Sequence, residues 1–149
     1  MIKIEEEIQQ KEFSSPQQKV IVNLLYTHGK IGSIQHRTLK PFGISIQQFN
    51  LLRILRGQHP VPASVKLLTE RMLDKMSNAS RLVDKLLAKD FVERQVSKYD
   101  RRQVDIVITK KGMKVTEEAS TALDKAMDAF SLNDKDAEQL SKLLDKLRG

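Results

Sequence analysis

A short run of polar residues has the side chains needed to read the edges of DNA bases. Ser77, Asn78 and Ser80 carry short hydrogen-bonding groups, and Arg81 follows directly. Asparagine can bond twice to adenine, arginine can bond twice to guanine, and serine can bond to several bases. The run therefore predicts contacts in the major groove of DNA.

The residues around this run predict the helix that would present it. Its apolar members recur at spacings of three and four residues, which is typical of one buried helix face. The outward positions are then Ser77, Asn78, Arg81, Asp84 and Lys85, with Ser80 near the boundary. The apolar face comprises Ala79, Leu82, Val83, Leu86 and Leu87.

A strand pair with a basic connection is predicted next. Two runs alternate and are expected to share one face of a two-stranded ribbon: Val92, Arg94, Val96 and Val104, Ile106, Ile108. The connection from Ser97 to Arg102, here called the wing tip, is too polar for a core and rich in cations. A helix-turn-helix with such a ribbon beside it is a winged DNA-binding module.

Some charged residues near this module have more than one interpretation. Lys85 suits a DNA phosphate better than a base. Asp84 would repel phosphate and is expected to bond to an arginine near the wing instead. Arg81 has a structural alternative, an ion pair with an acid that would hold the wing.

Three blocks of this module resemble the MarR family of bacterial transcription regulators. They are Ser80-Arg81-Leu82-Val83-Asp84-Lys85-Leu86 in the second helix, Asp100-Arg101-Arg102 at the wing, and Ile108-Thr109-Lys110-Lys111-Gly112 after it. Their order and spacing make the resemblance specific. Long helices before and after the module extend it over nearly the whole chain beyond the first dozen residues.

The resemblance implies a role for the wing tip. In the family, an aspartate orients an arginine into the minor groove, and these positions correspond to Asp100 and Arg102 here. Narrow A·T-rich minor grooves concentrate negative potential and attract guanidinium groups. Lys66, Lys98 and Arg101 are general candidates for phosphate contacts, and the alternative for each cation is an ordinary exposed charge.

Six helices are predicted around the strand pair, giving a mainly α fold with a small β-ribbon. Ser15 and Pro16 begin the first helix, which Pro41 ends near Leu39. Ser45 caps the second, Thr109 opens the fifth, and Asn133 with Asp136 caps the sixth. The predicted bounds are Pro16–Leu39, Ile46–Arg56 with Gly57 ending it, Ser64–Met72, a recognition helix capped by Asp74, Lys110 to about Phe130, and a last helix to Leu147.

These elements divide into three regions. Residues 1–44 form an N-terminal extension and dimerisation helix, 45–109 the winged region, and 110–149 the C-terminal dimerisation helices. The first helix and the last two have long apolar faces with little domain to cover them, which favours a homodimer. The alternative is that they fold back onto their own winged module. Residues 1–13 are compatible with either a short helix or a loose tail.

Charge and composition narrow the function classes. The net charge is +7 over 149 residues, with twelve Lys/Arg against seven Asp/Glu from Ser64 to Lys111, which favours an anionic partner. There are no cysteines, which excludes disulfides and thiolate chemistry. No motif for enzymatic phosphate binding or nucleophilic catalysis is present, and the three histidines form no short metal-ligand pair. The first 13 residues are charged and contain no long apolar run, so they do not resemble a signal peptide or a membrane span. The cytoplasm is therefore the expected location.

The resemblance also implies a crevice for a small effector. Family members commonly release DNA when an aromatic or phenolic acid enters between the dimer helices and the winged module. His28, His36, Arg37, Phe49 and Met72 are possible contributors here, and an anion could use the two histidines with Arg37. The alternative is that these histidines lie on a surface or an interface.

The sequence therefore predicts a dimeric, sequence-specific DNA-binding regulator that represses transcription from an inverted-repeat operator. The partners expected are double-stranded DNA, a second copy of the chain and a possible effector, with no cofactor, metal or membrane. A winged helix can instead serve as a protein-interaction adaptor or a non-specific nucleoid binder. Preference for an inverted repeat at physiological salt separates these functions.

Overall fold

The computed structural model describes residues 2–97, 104–130 and 132–149, and it consists of helices around a small antiparallel sheet. This is the mainly α fold with a β-ribbon that the sequence predicts. The helices are α1 (Ile4–Glu7), α2 (Pro16–Leu39), α3 (Ile46–Gln58), α4 (Val65–Arg71), α5 (Ala79–Leu87), α6 (Lys110–Met127) and α7 (Asp134–Arg148). The strands are β1 (Ala63–Ser64), β2 (Val92–Val96) and β3 (Val104–Ile108), and 3-10 turns cover Lys40–Phe42 and Asp128–Phe130.

The helix starts follow the local signals in the sequence. The Ser15 hydroxyl accepts the Gln18 N–H at 3.1 Å, with Pro16 as the first helical residue. Ser45 and Gln48 form a complete capping box, in which each side chain bonds to the other's backbone N–H at 3.1 Å. These bonds satisfy donors that the first helical turn leaves without a partner.

The predicted end of α3 at Gly57 is wrong. The helix continues through Gly57 to Gln58, and His59 takes an extended conformation with φ −52° and ψ 134°. Pro60 follows His59, and a proline disfavours helical backbone in the residue before it. The helix therefore ends because of Pro60, and Gly57 lies inside its last turn.

A third strand joins the predicted ribbon. In the sheet order β1-β3-β2, Ala63 pairs with Ile106 and Ser64 with Asp105. A strand of two residues is too short to produce an alternating pattern, so β1 could not be predicted from hydrophobic periodicity. β1 ties the start of α4 to the ribbon, which fixes the helix-turn-helix relative to the wing.

One buried core joins the winged module to α2 and α6. The contacts between elements place α3 against α5, α6 and β3, and α2 against α6. The largest fully buried side chains are Leu39, Leu51, Leu52, Leu55, Leu68, Met72, Leu86, Ile106, Val83, Val92 and Thr116.

The start of α6 lies close against the end of the module. The Thr109 hydroxyl accepts the Gly112 N–H at 2.9 Å and donates to the Asp90 carbonyl at 2.7 Å. A Cβ on Gly112 would lie 2.0 Å from the Phe91 carbonyl oxygen. A glycine is therefore required where α6 crosses this backbone, and the crossing sets the direction in which α6 leaves the module.

The N-terminal residues form a short helix that is attached to α2. Ile4 is 7% exposed, and Glu5 pairs with Lys19. Glu7 accepts a hydrogen bond from Tyr26 at 2.5 Å and pairs with Lys30 at 2.7 Å. The Lys30 ammonium, followed by the Tyr26 hydroxyl, lowers the pKa of Glu7 below its ordinary value. Of the two forms left open by the sequence, the structure has the helix.

Large apolar surfaces of the long helices remain uncovered. α7 contains no buried residue, although Leu140, Leu143 and Leu147 are aligned along it. On α2 the exposed apolar side chains are Val20, Ile21, Leu24 and Leu25. Within residues 2–97, 104–130 and 132–149, these apolar side chains remain exposed.

Candidate nucleic-acid interface

Helix α5 separates its apolar and polar residues onto opposite faces. Ala79, Val83 and Leu86 are buried in the core. Ser80, Arg81 and Lys85 are exposed on the other side. A short helix with one face fixed in the core and one polar, cationic face in solvent has the form needed to enter a major groove.

The start of α5 differs from the sequence prediction. Asn78, rather than Asp74, caps the helix, because its side-chain oxygen accepts the Arg81 N–H at 3.0 Å. Asp74 lies one turn earlier and accepts the Met76 N–H and the Ser77 hydroxyl, both at 3.0 Å. Sequence spacing did not distinguish the two caps, since both residue types cap helices well.

These bonds limit what two of the predicted base readers can do. The Asn78 oxygen is occupied by the cap, so its amide group is left to donate to a base. Ser77 is half-buried with its hydroxyl donated to Asp74, which leaves that oxygen to accept. Of the four residues predicted to contact bases, Ser80 and Arg81 are the two whose side chains are not held by these capping bonds.

The wing is attached to α5 through the ion pair that the sequence predicts for Asp84. An Arg94 guanidinium nitrogen on β2 lies 2.5 Å from the Asp84 carboxylate. The ion pairs found among residues 2–97, 104–130 and 132–149 do not include Arg81, so its structural alternative receives no support from them. Asp84 thus serves structure, and Arg81 is left for a partner.

The ribbon has the predicted register, with Val92 opposite Ile108 and Val96 opposite Val104. Burial falls along it, because Val92 is 2% exposed whereas Val96 is 64% exposed. Ser97 is 7% exposed, contrary to the expectation that the whole wing tip is too polar for burial. The predicted wing residues Lys98, Asp100, Arg101 and Arg102 lie outside the described residues.

Other exposed residues surround this surface. Lys66 is exposed on α4, as its predicted phosphate contact requires. The sequence reasoning missed Leu73 and Met76, which are 82% and 93% exposed in the turn before α5. Apolar side chains at this position can contact thymine methyl groups. Both are apolar residues that do not belong to the apolar face of α4 or of α5. This mismatch is the sequence signal that could have identified them as exposed contact residues.

A crevice of about 940 Å³ lies between α2, α3 and α6, where an effector is predicted to bind. His28, Phe49 and Met72 contribute to its lining, as expected. His36 and Arg37 do not, and Arg37 instead lines a second cavity of about 650 Å³ with Lys30 and Phe130. Eight residues of helix rotate a side chain roughly 80° past its starting direction, so His28 and His36 diverge. The predicted anion-binding set is therefore not brought together.

Comparison with known proteins identifies the class to which this winged module belongs. The MarR family model matches residues 44–104. The regulator MgrA of Staphylococcus aureus is 32% identical over 112 residues, which cover 75% of each chain. The chain belongs to the MarR family of DNA-binding transcription regulators, as its sequence blocks indicate.

Solved structures match over almost the whole chain. AbsC, a MarR family regulator from Streptomyces coelicolor, superposes with a TM-score of 0.77 at 17% identity and covers 93% of this chain and 96% of its own. CouR from Rhodococcus jostii, solved with bound p-coumaroyl-CoA, gives 0.74 at 18% identity and covers 91% of this chain and 95% of its own. At these identities, the matches concern the fold.

The relatives are transcriptional regulators rather than enzymes. Within residues 2–97, 104–130 and 132–149, no helix combines the length and apolar character needed to cross a membrane. The same part of the chain holds no cluster of three or more residues suited to binding a metal ion.

Proposed function

We propose that this regulator acts as a cytoplasmic homodimer that binds an inverted-repeat operator and represses transcription from it. The observation that carries the proposal is α5, which exposes Ser80, Arg81 and Lys85 while its apolar face is buried. A dimer bound across a promoter would exclude polymerase from the same DNA, which gives repression without further machinery.

The exposed apolar surfaces support the dimer. Leu140, Leu143 and Leu147 are each about half exposed on α7, and α2 presents a second apolar face. Surfaces of this kind are costly to leave in water, and a twofold axis lets two copies cover each other's. Such a dimer would place two α5 helices about 34–36 Å apart, one turn of DNA, so the operator would be an inverted repeat.

The residues divide by the part of DNA that each would contact. Base edges in the major groove are assigned to Ser77, Asn78, Ser80 and Arg81. Phosphates are assigned to Lys66, Lys85, Lys98 and Arg101. The minor groove is assigned to Arg102, oriented by Asp100.

Replacing Arg81 with alanine tests the base-reading role. Loss of one paired contact to guanine is expected to cost about 1–3 kcal/mol and to relax specificity at one base pair per half-site. Lys85→Ala is the matched control, since loss of a phosphate contact weakens all sequences alike and lowers the salt dependence. Selection of bound fragments from random DNA, followed by gel-shift titration on the selected repeat, measures both effects.

A uniform loss across sequences for Arg81→Ala would contradict its role as a base reader. Selection that yields no inverted repeat at physiological salt would contradict the regulator proposal and favour a non-specific binder or an adaptor.

Arg102→Ala tests the minor-groove contact. We expect operator affinity to fall by more than about tenfold, because a guanidinium in a narrow groove meets concentrated negative potential. Gel-shift titration measures the affinity, and sedimentation checks that the dimer remains intact. Wild-type affinity for this variant would contradict the assignment.

The crevice supports regulation by a small aromatic effector. It combines Phe49 and Met72 with polar groups in about 940 Å³, a size that suits a small organic ligand. The phenolic ligand of CouR indicates that this fold can hold such a molecule. An effector here would contact both α2 and the residues leading into α5, so its binding could alter DNA affinity.

A further inference from the structure

The crevice between α2, α3 and α6 has an apolar interior and an unusual charge for this chain. Phe49, Met72 and Leu123 contribute apolar surface to it. Its lining carboxylates and guanidinium are Asp74, Asp124 and Arg53, which give a formal net charge of −1. The whole chain carries +7, so this crevice is acidic on an otherwise basic protein.

Neither carboxylate forms an ion pair with a cation among the described residues. Asp74 bonds to the neutral Met76 N–H and Ser77 hydroxyl, which lower its pKa and keep it charged at neutral pH. Asp124 forms no ion pair within residues 2–97, 104–130 and 132–149. The Arg53 guanidinium lies 5.9 Å from the centre of the Phe49 ring. Arg53 offsets one of the two negative charges, and the remaining net charge of −1 favours a positive ligand over a negative one.

We propose that the crevice binds a small aromatic cation, whose charged end is held by the carboxylates of Asp74 and Asp124. This rests on the proposed regulatory function and specifies the effector class for the same crevice. The ring system occupies the surface of Phe49, Met72 and Leu123. The net negative charge disfavours an aromatic acid of the same shape, because Arg53 offsets only one of the two carboxylates.

Asp74 connects the crevice to the DNA-reading helix. The Leu73 N–H donates to the Asn50 side chain at 2.9 Å, and the Asp74 carboxylate holds Met76 and Ser77, each at 3.0 Å. Asn78, the cap of α5, follows directly. A cation that draws the Asp74 carboxylate towards the crevice competes with those two bonds. The turn that positions α5 then loosens, and DNA affinity falls.

Three naphthalene probes of matched shape test the charge preference. In equilibrium dialysis without DNA, 2-naphthamidine is expected to bind at least about tenfold more tightly than 2-naphthoate, with neutral 2-naphthamide between them. Asp124→Asn is expected to reduce this preference several-fold. Asp128→Asn is the matched control, because it removes the same charge from an exposed position outside the crevice and leaves the preference unchanged.

A second measurement tests the coupling to DNA. At a concentration that just saturates the wild type in dialysis, 2-naphthamidine is expected to weaken gel-shift binding to the selected repeat for the wild type and Asp128→Asn. The same concentration fills less of Asp124→Asn and is expected to weaken its DNA binding less. Any direct effect of the probe on DNA is common to all three proteins. Unchanged DNA affinity at saturation would overturn the coupling.

Two dialysis outcomes would overturn the ligand assignment: 2-naphthoate binding as tightly as 2-naphthamidine, or a preference that survives Asp124→Asn. Because dialysis contains no DNA, its result is independent of whether an inverted repeat is selected. Failure of the effector assignment and failure of the regulator proposal are thus distinguishable.

Discussion

Replacing Leu143 with lysine is expected to separate the dimer and lower operator affinity by about a hundredfold or more. Leu143 is 55% exposed on an apolar stripe of α7 that has no buried residue. Burying a leucine contributes about 1.5–3 kcal/mol, and a twofold interface counts the loss twice. Sedimentation at micromolar concentration and gel-shift titration measure the two effects.

The positive charge that Leu143→Lys adds distinguishes a loss of dimerisation from a direct effect on DNA binding. An added lysine by itself strengthens attraction to DNA, so a loss of binding must come through assembly. Ser141→Lys is the control, since it introduces the same side chain at an exposed position of α7 away from the leucine stripe. A Leu143→Lys protein that remains dimeric would show that this stripe is not part of the interface.

Replacing Gly112 with alanine is expected to lower the free energy of unfolding by about 3 kcal/mol or more, the upper range for an overpacked site. The added Cβ would meet the Phe91 carbonyl carbon and oxygen at 2.9 and 2.0 Å, and backbone cannot move aside as a flexible side chain does. Relief requires a shift of α6 from the end of the winged module. Urea unfolding at one fixed protein concentration measures the loss, because a dimer's stability depends on concentration.

Gly57→Ala is the matched control for this experiment. A Cβ at Gly57 meets nothing within 4 Å, and the residue lies within the last turn of α3. Alanine is expected to stabilise the protein there by up to about 1 kcal/mol, because it favours helix over glycine. If both substitutions have the same small effect, the close crossing at Phe91 does not control the position of α6.

The exposed, DNA-facing side of α5 could be predicted from the sequence, because it follows from the spacing of neighbouring residues. The period of Ala79, Val83 and Leu86 fixed which side of α5 faces the core, so Arg81 and Lys85 were assigned correctly to the exposed side. An arginine partner for Asp84 was also predictable, because an acid near phosphate needs a cation, and the structure identifies that partner as Arg94. The assignment of these residues to particular parts of DNA stays a prediction.

The errors occurred where a backbone choice depended on surroundings. Asp74 and Asn78 are both good caps, and the packing of Ala79 in the core selects Asn78. Gly57 was expected to end α3, whereas Pro60 determines that end through His59. In each case, two local signals competed, and their relative strength depended on packing that local sequence does not show.

Local patterns in the chain were sufficient to predict the family, the order of the long helices and the polar face of the recognition helix, because periodicity, capping residues and motif spacing act over a few residues. The set of side chains that line the crevice, in contrast, depends on how the helices pack. His28 lines the crevice, whereas His36 and Arg37 do not. Asp74 and Asp124, which are 50 residues apart in the chain, both line it. Such a meeting depends on helix rotation and crossing, which are set by packing between elements rather than by neighbours in sequence. The net charge of the crevice lining could therefore be determined only from the tertiary structure.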